Sequence, residues 1–292
     1  MYTLTLRGFH VERESGHAPA SALAVTVERG VAWVMIDNPP INLLDMRLAM
    51  ELDALTRSLA EAPDVRAIVF ESAVPGYFLS HADLNLLQQA RNAGAYADTS
   101  QLGFYQKILE RLRTMPKVSI GLVDGRARGG GAEFALALDM VFASTDARFS
   151  QMEILLGINP GAGGAQYLVR KAGRSRALEL CLSGADIAGD LAITYGYANR
   201  VMPAGELRAF VERLAFNIGS FLPEAVAANK ANILAAEPSP EPGLLDAYQK
   251  FAALVAAPEF DKRVAAFLDA GGQTAAGEHE DLSHLAQRLA GV

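Results

Sequence analysis

Hydrophobic and polar positions alternate in two short segments near residue 30 and recur at helical spacing further along the chain. Ala24–Glu28 and Val31–Ile36 alternate on either side of a two-residue turn, which predicts a β-hairpin. Apolar residues at helical spacing predict helices over Met46–Ala60 and Leu102–Met115. Short apolar runs predict buried strands over Ala67–Phe70, Val118–Val123, Met140–Ala143 and Ala147–Phe149.

Strand patterns crowd the first half of the chain and helical patterns the second. The helices predicted after Arg174 are Ser175–Leu182, Gly189–Tyr197, Ala204–Phe216, Pro223–Leu234 and Leu244–Leu268. We therefore predict an α/β protein with a loose arm over residues 1–22, a strand-rich core over 23–205 and a C-terminal helical section over 206–292. The Gly- and Ala-rich stretch Gly271–Glu280 is predicted to be mobile.

The composition is typical of a folded globular protein. The chain has 292 residues, of which 51% are hydrophobic, so it can bury a large core. The net charge of -7 argues against a general nucleic-acid binder. Cys181 is the one cysteine, which excludes an intrachain disulfide and disfavours a cysteine metal site. The sequence has neither an apolar run of about 18 residues nor an apolar signal segment, so we expect no membrane contact and a cytoplasmic location.

A glycine triplet followed by a carboxylate is the candidate chemical site. Gly129-Gly130-Gly131 precedes Ala132–Leu138, which is apolar on every face apart from Glu133 and predicts a buried helix. A helix N-terminus with free N–H groups can hold a developing oxyanion, and a side chain at Gly130 would block the approach of a carbonyl. Burial raises the pKa of an unpaired carboxylate, which suits proton transfer. Glu133 and Glu153 are therefore interpreted as an acid/base pair rather than as surface or capping glutamates.

Four separated motifs carry a resemblance to a known family. Residues 125–168 read GRARGGGAEFALALDMVFASTDARFSQMEILLGINPGAGGAQYL and contain the glycine triplet, both glutamates and a second glycine-rich loop. Upstream lie NPPINLLD at Asn38–Asp45 and FLSHADL at Phe78–Leu84. In their order and spacing these motifs resemble the crotonase superfamily, that is the enoyl-CoA hydratases and isomerases, over residues 24–235.

The resemblance implies a fold, a reaction and roles for single residues. The implied fold is a crotonase-like spiral of ββα turns, assembled as a homotrimer or a dimer of trimers. The backbone N–H groups of Ala82 and Gly130 correspond to the oxyanion hole of the family. Glu133 corresponds to the carboxylate that deprotonates water, Glu153 to the acid that protonates the α-carbon, and Gly161 to a backbone donor facing that water. The implied activity is hydration of an acyl-CoA thioester with no metal or redox cofactor, coenzyme A being part of the substrate.

Further positions correspond to the family's substrate contacts. The implied substrate-binding residues are Asn42, Leu43, Ser80, His81, Asp83, Leu84, Gly129 and Gly161. The chain departs from the family pattern at His81, where glycine is usual, at Met152, where proline is usual, and at Gly76-Tyr77, where a cation is usual. We interpret His81 as a spacer, the alternative being a hydrogen bond to the substrate or to a CoA phosphate.

Other activities are compatible with the same motifs. A double-bond isomerase would use Glu153 as its main acid/base, and thioester hydrolysis and decarboxylation also occur on this fold. A non-catalytic acyl-CoA-binding homologue is the alternative from another class, and the retention of both glutamates argues against it. Arg126 and Arg128 face either a phosphate or a neighbouring carboxylate. Asp83 is also predicted to cap the helix that follows it.

Overall fold

The computed structural model describes residues 21–279 and 281–289. Residues 1–20 of the predicted N-terminal arm lie outside the described residues, as do Glu280 and the last three residues. The strands of the described chain are β1 Leu23–Glu28, β2 Val31–Ile36, β3 Ala67–Ser72, β4 Gly76–Leu79, β5 Val118–Val123, β6 Gly125–Arg128, β7 Met140–Ser144, β8 Arg148–Ser150, β9 Ile187–Ala188 and β10 Arg200–Met202.

Two sheets form the centre of the molecule. The larger has the strand order β1-β2-β3-β5-β7-β10, in which β1 and β2 form the predicted antiparallel hairpin and the remaining pairs are parallel. The smaller has the order β4-β6-β8-β9. Each of the pairs β3-β4, β5-β6 and β7-β8 gives one strand to each sheet before the chain enters a helix. This repeat of two strands and a helix winds the chain into a spiral, as expected of an α/β protein with ββα turns.

Helices cover both faces of the larger sheet and form the C-terminal section. They are α1 Met46–Glu61, α2 Leu84–Asn92, α3 Phe104–Thr114, α4 Gly130–Ala137, α5 Gly164–Ala172, α6 Arg174–Ser183, α7 Asp190–Thr194, α8 Ala204–Ser220, α9 Pro223–Ala235, α10 Glu241–Val255, α11 Pro258–Asp269, α12 Ala275–His279 and α13 Leu282–Leu289. A short 3-10 helix spans Glu153–Leu156.

The central strands are buried on both faces, which explains why they read as continuous apolar runs rather than as alternating patterns. In β3, Ile68 and Phe70 pack into the main core with α1, α3 and α4, while Ala67 and Val69 pack against α8 on the opposite face. A separate apolar cluster joins α11 and α13 to the 3-10 helix and includes Met152. The C-terminal helices therefore have a core of their own beside the main one.

Several elements differ from the sequence prediction. The sequence does not predict the short strands β4, β6, β9 and β10, because two to four residues are too few to show a period. The helix α5, which begins in the second glycine-rich loop, is also not predicted. The helix predicted over Leu244–Leu268 is divided into α10 and α11 at Ala257-Pro258, since proline cannot continue a helix. The boundary expected at residue 205 falls inside α8, which packs on the sheet.

The stretch predicted to be mobile is docked onto the core. Residues 275–279 form α12, and the Glu278 side chain within it is fully buried. The Tyr77 hydroxyl donates to the Ala275 carbonyl at 2.8 Å, and Arg126 donates to the His279 carbonyl at 2.6 Å. The prediction of a mobile segment is therefore wrong for residues 271–279: Gly and Ala allow this stretch to pack closely against β4 and β6.

Candidate active site

A cavity of about 640 Å³ opens beside the N-terminus of α4. Its walls come from α1, α3, α4, α10, the 3-10 helix and the segment that joins β4 to α2. The structure brings together on these walls the sequence-predicted residues His81, Ala82, Leu84, Gly129, Gly130, Glu133, Glu153 and Gly161.

Two backbone amides face each other at one side of this cavity. Ala82 forms a parallel bridge with Leu44, and the hydrogen bonds to Leu44 come from the residues on either side of Ala82. The N–H of Ala82 itself is therefore directed away from Leu44. Gly130 is the first residue of α4, and its N–H precedes the hydrogen bonds of the helix. A Cβ added at Gly130 would lie 3.8 Å from the Ala82 nitrogen, so the two amide groups are close neighbours. Two amide donors this close together are chemically suited to an oxyanion.

The glycines on either side of Gly130 are required by close contacts. Gly129 has φ of 51°, and a Cβ on it would meet the Cβ of His81 at 2.8 Å. A Cβ on Gly131 would lie 1.8 Å from the Leu79 carbonyl oxygen. The triplet thus allows the start of α4 to lie directly against the segment that carries Ala82.

Glu133 lies one turn into α4 and is held by amides of the second glycine-rich loop. Its Oε1 accepts hydrogen bonds from Ala162 N–H at 2.7 Å and from Gly164 N–H, at the start of α5, at 2.8 Å. Burial raises the pKa of Glu133 to about 7, although these amide hydrogen bonds favour the ionised form. The side chain is therefore a carboxylate with a defined orientation and a proton affinity suited to a base near neutral pH.

Glu153 begins the 3-10 helix and has a different environment. It is buried, and its Oε2 has no hydrogen-bond partner among the described residues. Burial, and next the charge of Glu133, raise the pKa of Glu153 well above its usual value. At neutral pH Glu153 is therefore the protonated member of the pair and can act as an acid. A carbonyl compound bound at the two amides would meet one base and one acid.

Two residues of α3 support this arrangement and were missed in the sequence. The Tyr105 hydroxyl donates to the Gly130 carbonyl at 3.0 Å. Gln106 donates to the Gly161 carbonyl at 2.9 Å and to the Leu244 carbonyl at 2.8 Å, which joins the glycine-rich loop to α3 and α10. Gly161 itself packs against the Phe251 ring, while the amides that reach Glu133 belong to Ala162 and Gly164. The loop before α5 was visible in the sequence, but the helix that directs its amides was not predicted.

His81 lines the cavity, and its ring is held by contacts within the protein. The ring is buried, packs edge-on against Phe267 at 5.6 Å, and both its nitrogens are hydrogen-bonded within the protein. Nδ1 lies 2.9 Å from the Ala82 carbonyl oxygen and Nε2 lies 2.9 Å from Oε1 of Glu278. A ring with both nitrogens in use has no donor left for a substrate, so the structure favours the interpretation without a ligand contact and adds internal hydrogen bonds to it.

The other predicted substrate-binding side chains serve the loops that carry them. Asn42 is buried with φ of 52° and donates to Ser72 Oγ and the Phe78 carbonyl. The Ser80 hydroxyl donates to the Ile41 carbonyl at 2.6 Å. Leu43 packs beside the small cluster of Ile41, Val74 and Tyr77. These side chains do not line the cavity, so the structure does not bring them together with the two glutamates.

Asp83 fulfils its predicted capping role. Its carboxylate accepts from the Asn85 N–H at 3.0 Å, at the start of α2, and also from the Gln273 side chain at 3.1 Å. Asp83 does not line the cavity, whereas its neighbour Leu84 does.

The two arginines before the glycine triplet meet protein groups. Arg128 is buried and pairs with Asp186 at 2.5 Å and with Glu278 at 3.1 Å. Arg126 donates to the Gly76 and His279 carbonyls and lies over the Tyr77 ring. For Arg128 the structure thus selects the carboxylate over the phosphate.

None of the helices in the described part of the chain is long and apolar enough to cross a membrane.

Comparison with known proteins leads to the same family by sequence and by structure. Residues 26–271 match the family model described as enoyl-CoA hydratase/isomerase. The short-chain-enoyl-CoA hydratase of Clostridium acetobutylicum is 32% identical over 208 residues, 70% of this chain and 78% of that protein. The 2,3-dehydroadipyl-CoA hydratase of Escherichia coli is 32% identical over 250 residues, 85% of this chain and 96% of that protein. A crystal structure of a candidate enoyl-CoA hydratase from Streptomyces avermitilis is 38% identical with a TM-score of 0.85, covering 93% of this chain and 99% of that one.

Proposed function

We propose that this chain, which belongs to the enoyl-CoA hydratase/isomerase family, adds water across the α,β double bond of an acyl-CoA thioester. The observation that carries the proposal is the contrast between the two glutamates on one cavity wall. Glu133 is fixed as an acceptor by two amides, and Glu153 is buried with an unpartnered oxygen that favours a proton. Hydration needs one base and one acid on the same substrate, and this pair supplies both.

The proposed reaction follows from these positions. The thioester oxygen binds between the N–H groups of Ala82 and Gly130, which polarises the conjugated double bond and makes the β-carbon electrophilic. Glu133 takes a proton from water as the water oxygen attacks that carbon, and the electron pair moves toward the thioester oxygen. Glu153 then gives its proton to the α-carbon, and the electron pair returns from the oxyanion. The product is a 3-hydroxyacyl thioester, and the two glutamates exchange protons with solvent to restore the starting state.

No metal or redox cofactor enters this proposal, since the thioester carbonyl is itself the electron sink. Coenzyme A takes part as a portion of the substrate. Lys107 of α3 is the lysine among the residues that line the cavity, and we propose it as a contact for the phosphates of the CoA arm.

We propose an apolar acyl group for the substrate. The residues that line the cavity include Leu86, Leu87, Tyr96, Leu156, Ile158, Tyr248 and Phe251. Such walls bind hydrocarbon through burial and leave a carboxylate on the acyl end without a partner. The named relatives act on short-chain-enoyl-CoA and on 2,3-dehydroadipyl-CoA, and the apolar walls favour the former kind of substrate.

We also propose a homotrimer, or a dimer of trimers, acting in the cytoplasm. The apolar side chains of α10 and α11 are mostly covered within the chain, since Leu244, Val255, Phe260 and Phe267 are buried. Exposed apolar side chains lie instead at the two ends of α9, where Leu222 is 72% and Ile233 is 67% exposed. The proposal is supported by this exposure, because apolar side chains left in water are stabilised when a second copy covers them.

The test is a screen of enoyl-CoA thioesters that follows the loss of their conjugated absorbance. Wild type, Glu133→Gln and Glu153→Gln are compared, and each variant is expected to lose about 10²–10⁴-fold in kcat. A loss confined to Glu153→Gln, with double-bond migration by wild type, would favour an isomerase. Wild-type rates from both variants would remove the glutamates from the mechanism.

A further inference from the structure

A single buried carboxylate connects the two segments that carry the oxyanion amides. Glu278 of α12 places Oε1 at 2.9 Å from Nε2 of His81 and Oε2 at 3.1 Å from Nη1 of Arg128. His81 directly precedes Ala82, and Arg128 lies two residues before Gly130. Glu278 therefore bridges the side chains beside both amides, although it lies beyond residue 271, where the match to the family model ends.

The connection continues into the backbone on each side. Nδ1 of His81 bonds to the Ala82 carbonyl oxygen at 2.9 Å, which restrains the peptide directly after the first amide. Arg128 donates to the backbone carbonyl of Glu278 at 2.5 Å, and its far side pairs with Asp186 at 2.5 Å. The N–H of Gln273 donates to Oε1 of Glu278 at 3.2 Å and holds the carboxylate from its own segment.

The charges alternate along this buried row. Asp186, Arg128, Glu278 and His81 follow one another, each with a side chain no more than 4% exposed, and we refer to them as the charge chain. Both ring nitrogens of His81 face oxygen acceptors, so each is placed to donate an N–H, and the Glu278 carboxylate favours the ring proton although the charge of Arg128 opposes it. His81 is thus an imidazolium that needs Glu278 as its counter-charge.

We infer that Glu278 is a positioning residue for the oxyanion site: through His81 and Arg128 it holds the Ala82 and Gly130 amides at the separation that the enolate oxygen requires. This inference rests on the proposed function, because it assumes a thioester bound at those amides. The contact between Gly129 and His81, where an added Cβ would lie 2.8 Å from the His81 Cβ, shows how closely the two segments depend on one another. A small displacement of either amide reduces transition-state stabilisation more than ground-state binding.

The variant that tests the inference is Glu278→Gln, with Glu259→Gln on the exposed start of α11 as the matched control. Glu278→Gln is expected to lower kcat by roughly 10- to 100-fold with little change in KM, because the oxyanion forms only during the reaction. The double variant His81→Gln/Glu278→Gln removes both charges of that pair and is included in case the single variant folds poorly. It is expected to be folded by circular dichroism and to keep the low kcat.

A second readout reports the charge chain itself. The charged groups around the His81 ring are Glu278 and Arg128, with Asp186 behind Arg128 and Glu153 across Gly129. Nuclear magnetic resonance titration of the ring, assigned with His81→Gln, is expected to show a pKa above 6.5 in wild type and a lower value in Glu278→Gln. Wild-type kcat in folded Glu278→Gln, with or without a change in that titration, would overturn the inference.

Binding of a 3-ketoacyl-CoA separates failure of the inference from failure of the proposed function. Its enolate places an oxyanion in the site without turnover, so Glu278→Gln is expected to weaken enolate binding while a saturated acyl-CoA binds as before. A wild type that hydrates no thioester but binds the enolate would refute the proposed function, and the enolate affinity of Glu278→Gln would then decide the inference. A wild type that binds neither compound would refute both.

Discussion

The proposed acid/base pair, Glu133 and Glu153, and the charge chain contain carboxylates that are buried to a similar degree and have opposite acidities. Around Glu133 and Glu153 no cation is paired with either group within the described residues, and burial raises both pKa values. At Glu278 burial alone would also raise the pKa, but His81 and next Arg128 lower it to about 2. Burial therefore does not by itself make a proton-transfer group. The presence or absence of a counter-charge decides whether a buried glutamate exchanges protons or fixes a structure.

Stability measurements give the largest expected difference between the two regions. Glu278→Gln is expected to lower the free energy of unfolding by about 3–5 kcal/mol, because it leaves His81 and Arg128 with fewer buried counter-charges. Glu153→Gln is expected to change it by less than about 1 kcal/mol, since the carboxamide resembles the protonated carboxyl that burial favours. Urea unfolding followed by circular dichroism measures both, and Glu259→Gln again serves as the surface control. Equal losses in the two buried variants would contradict the comparison.

The loss of unfolding free energy in Glu278→Gln is also expected to depend on pH in a defined direction. The pKa of Glu278 is lowered, so its contribution is present above about 4.5 and is lost as the pH falls toward 2. Burial lowers the pKa of His81, but Glu278 raises it by more, so the net shift is upward. The contribution of His81 to stability is therefore complete below about pH 6.5 and is lost as the pH rises through the raised pKa. The stability difference between wild type and Glu278→Gln should therefore be largest between about pH 4.5 and 6.5. A difference that grows above this range would contradict the assignment of an ion pair.

Removal of one oxyanion amide is expected to have the next largest effect. Gly130 is the first residue of α4, a position where proline is compatible with a helix and where its missing N–H leaves no helical hydrogen bond broken. Gly130→Pro should reduce kcat about 10²–10³-fold while the fold is retained. Gly130→Ala keeps the N–H and places a methyl group near Leu44, so it separates the loss of the donor from crowding. An active Gly130→Pro with native circular dichroism would remove Gly130 from the oxyanion site.

The pH–rate profile directly tests Glu133 and Glu153, the two buried glutamates with no paired cation within the described residues. With a pKa of about 7, Glu133 becomes protonated as the pH falls and can no longer accept a proton from water. The kcat/KM is therefore expected to fall about tenfold per pH unit below roughly pH 7 and to fall again at alkaline pH, where Glu153 loses its proton. The two steps belong to the coupled pair. A profile that stays flat down to about pH 5 would show that no group with a raised pKa serves as the base.

The sequence was sufficient for the family fold and for the nearness of the two glutamates, because both depend on local motifs. The hairpin and α1 followed from periodicity, β5 followed from a short apolar run, and the glycine triplet marked the start of α4. The fold class and the family are confirmed by the comparison with known proteins. The roles of the site residues stay predictions, to which the structure adds positions and hydrogen-bond partners.

The rest depended on contacts between distant parts of the chain. Glu278 is separated from His81 by 197 residues, and nothing in its neighbourhood of Gly and Ala marks it as buried. The three departures from the family pattern have a common physical explanation in contacts with the C-terminal part of the chain. His81 pairs with Glu278, Tyr77 bonds to Ala275, and Met152 belongs to the apolar cluster of α11 and α13. Each of these residues meets the C-terminal segment, which the motifs alone could not place.

The smallest expected effect concerns Tyr105, which supports the Gly130 side of the oxyanion site from α3. Its hydroxyl donates to the Gly130 carbonyl at 3.0 Å, and that carbonyl belongs to the peptide directly after the amide. Tyr105→Phe removes a single hydrogen bond worth about 1 kcal/mol, so we expect a loss of about threefold to tenfold in kcat with KM nearly unchanged. Tyr248→Phe removes a hydroxyl elsewhere on the cavity wall and is the matched control. If Tyr105→Phe raised KM and left kcat as in wild type, Tyr105 would contact the acyl group rather than position the amide. The support of Gly130 would then come from the Arg128 side of the charge chain alone.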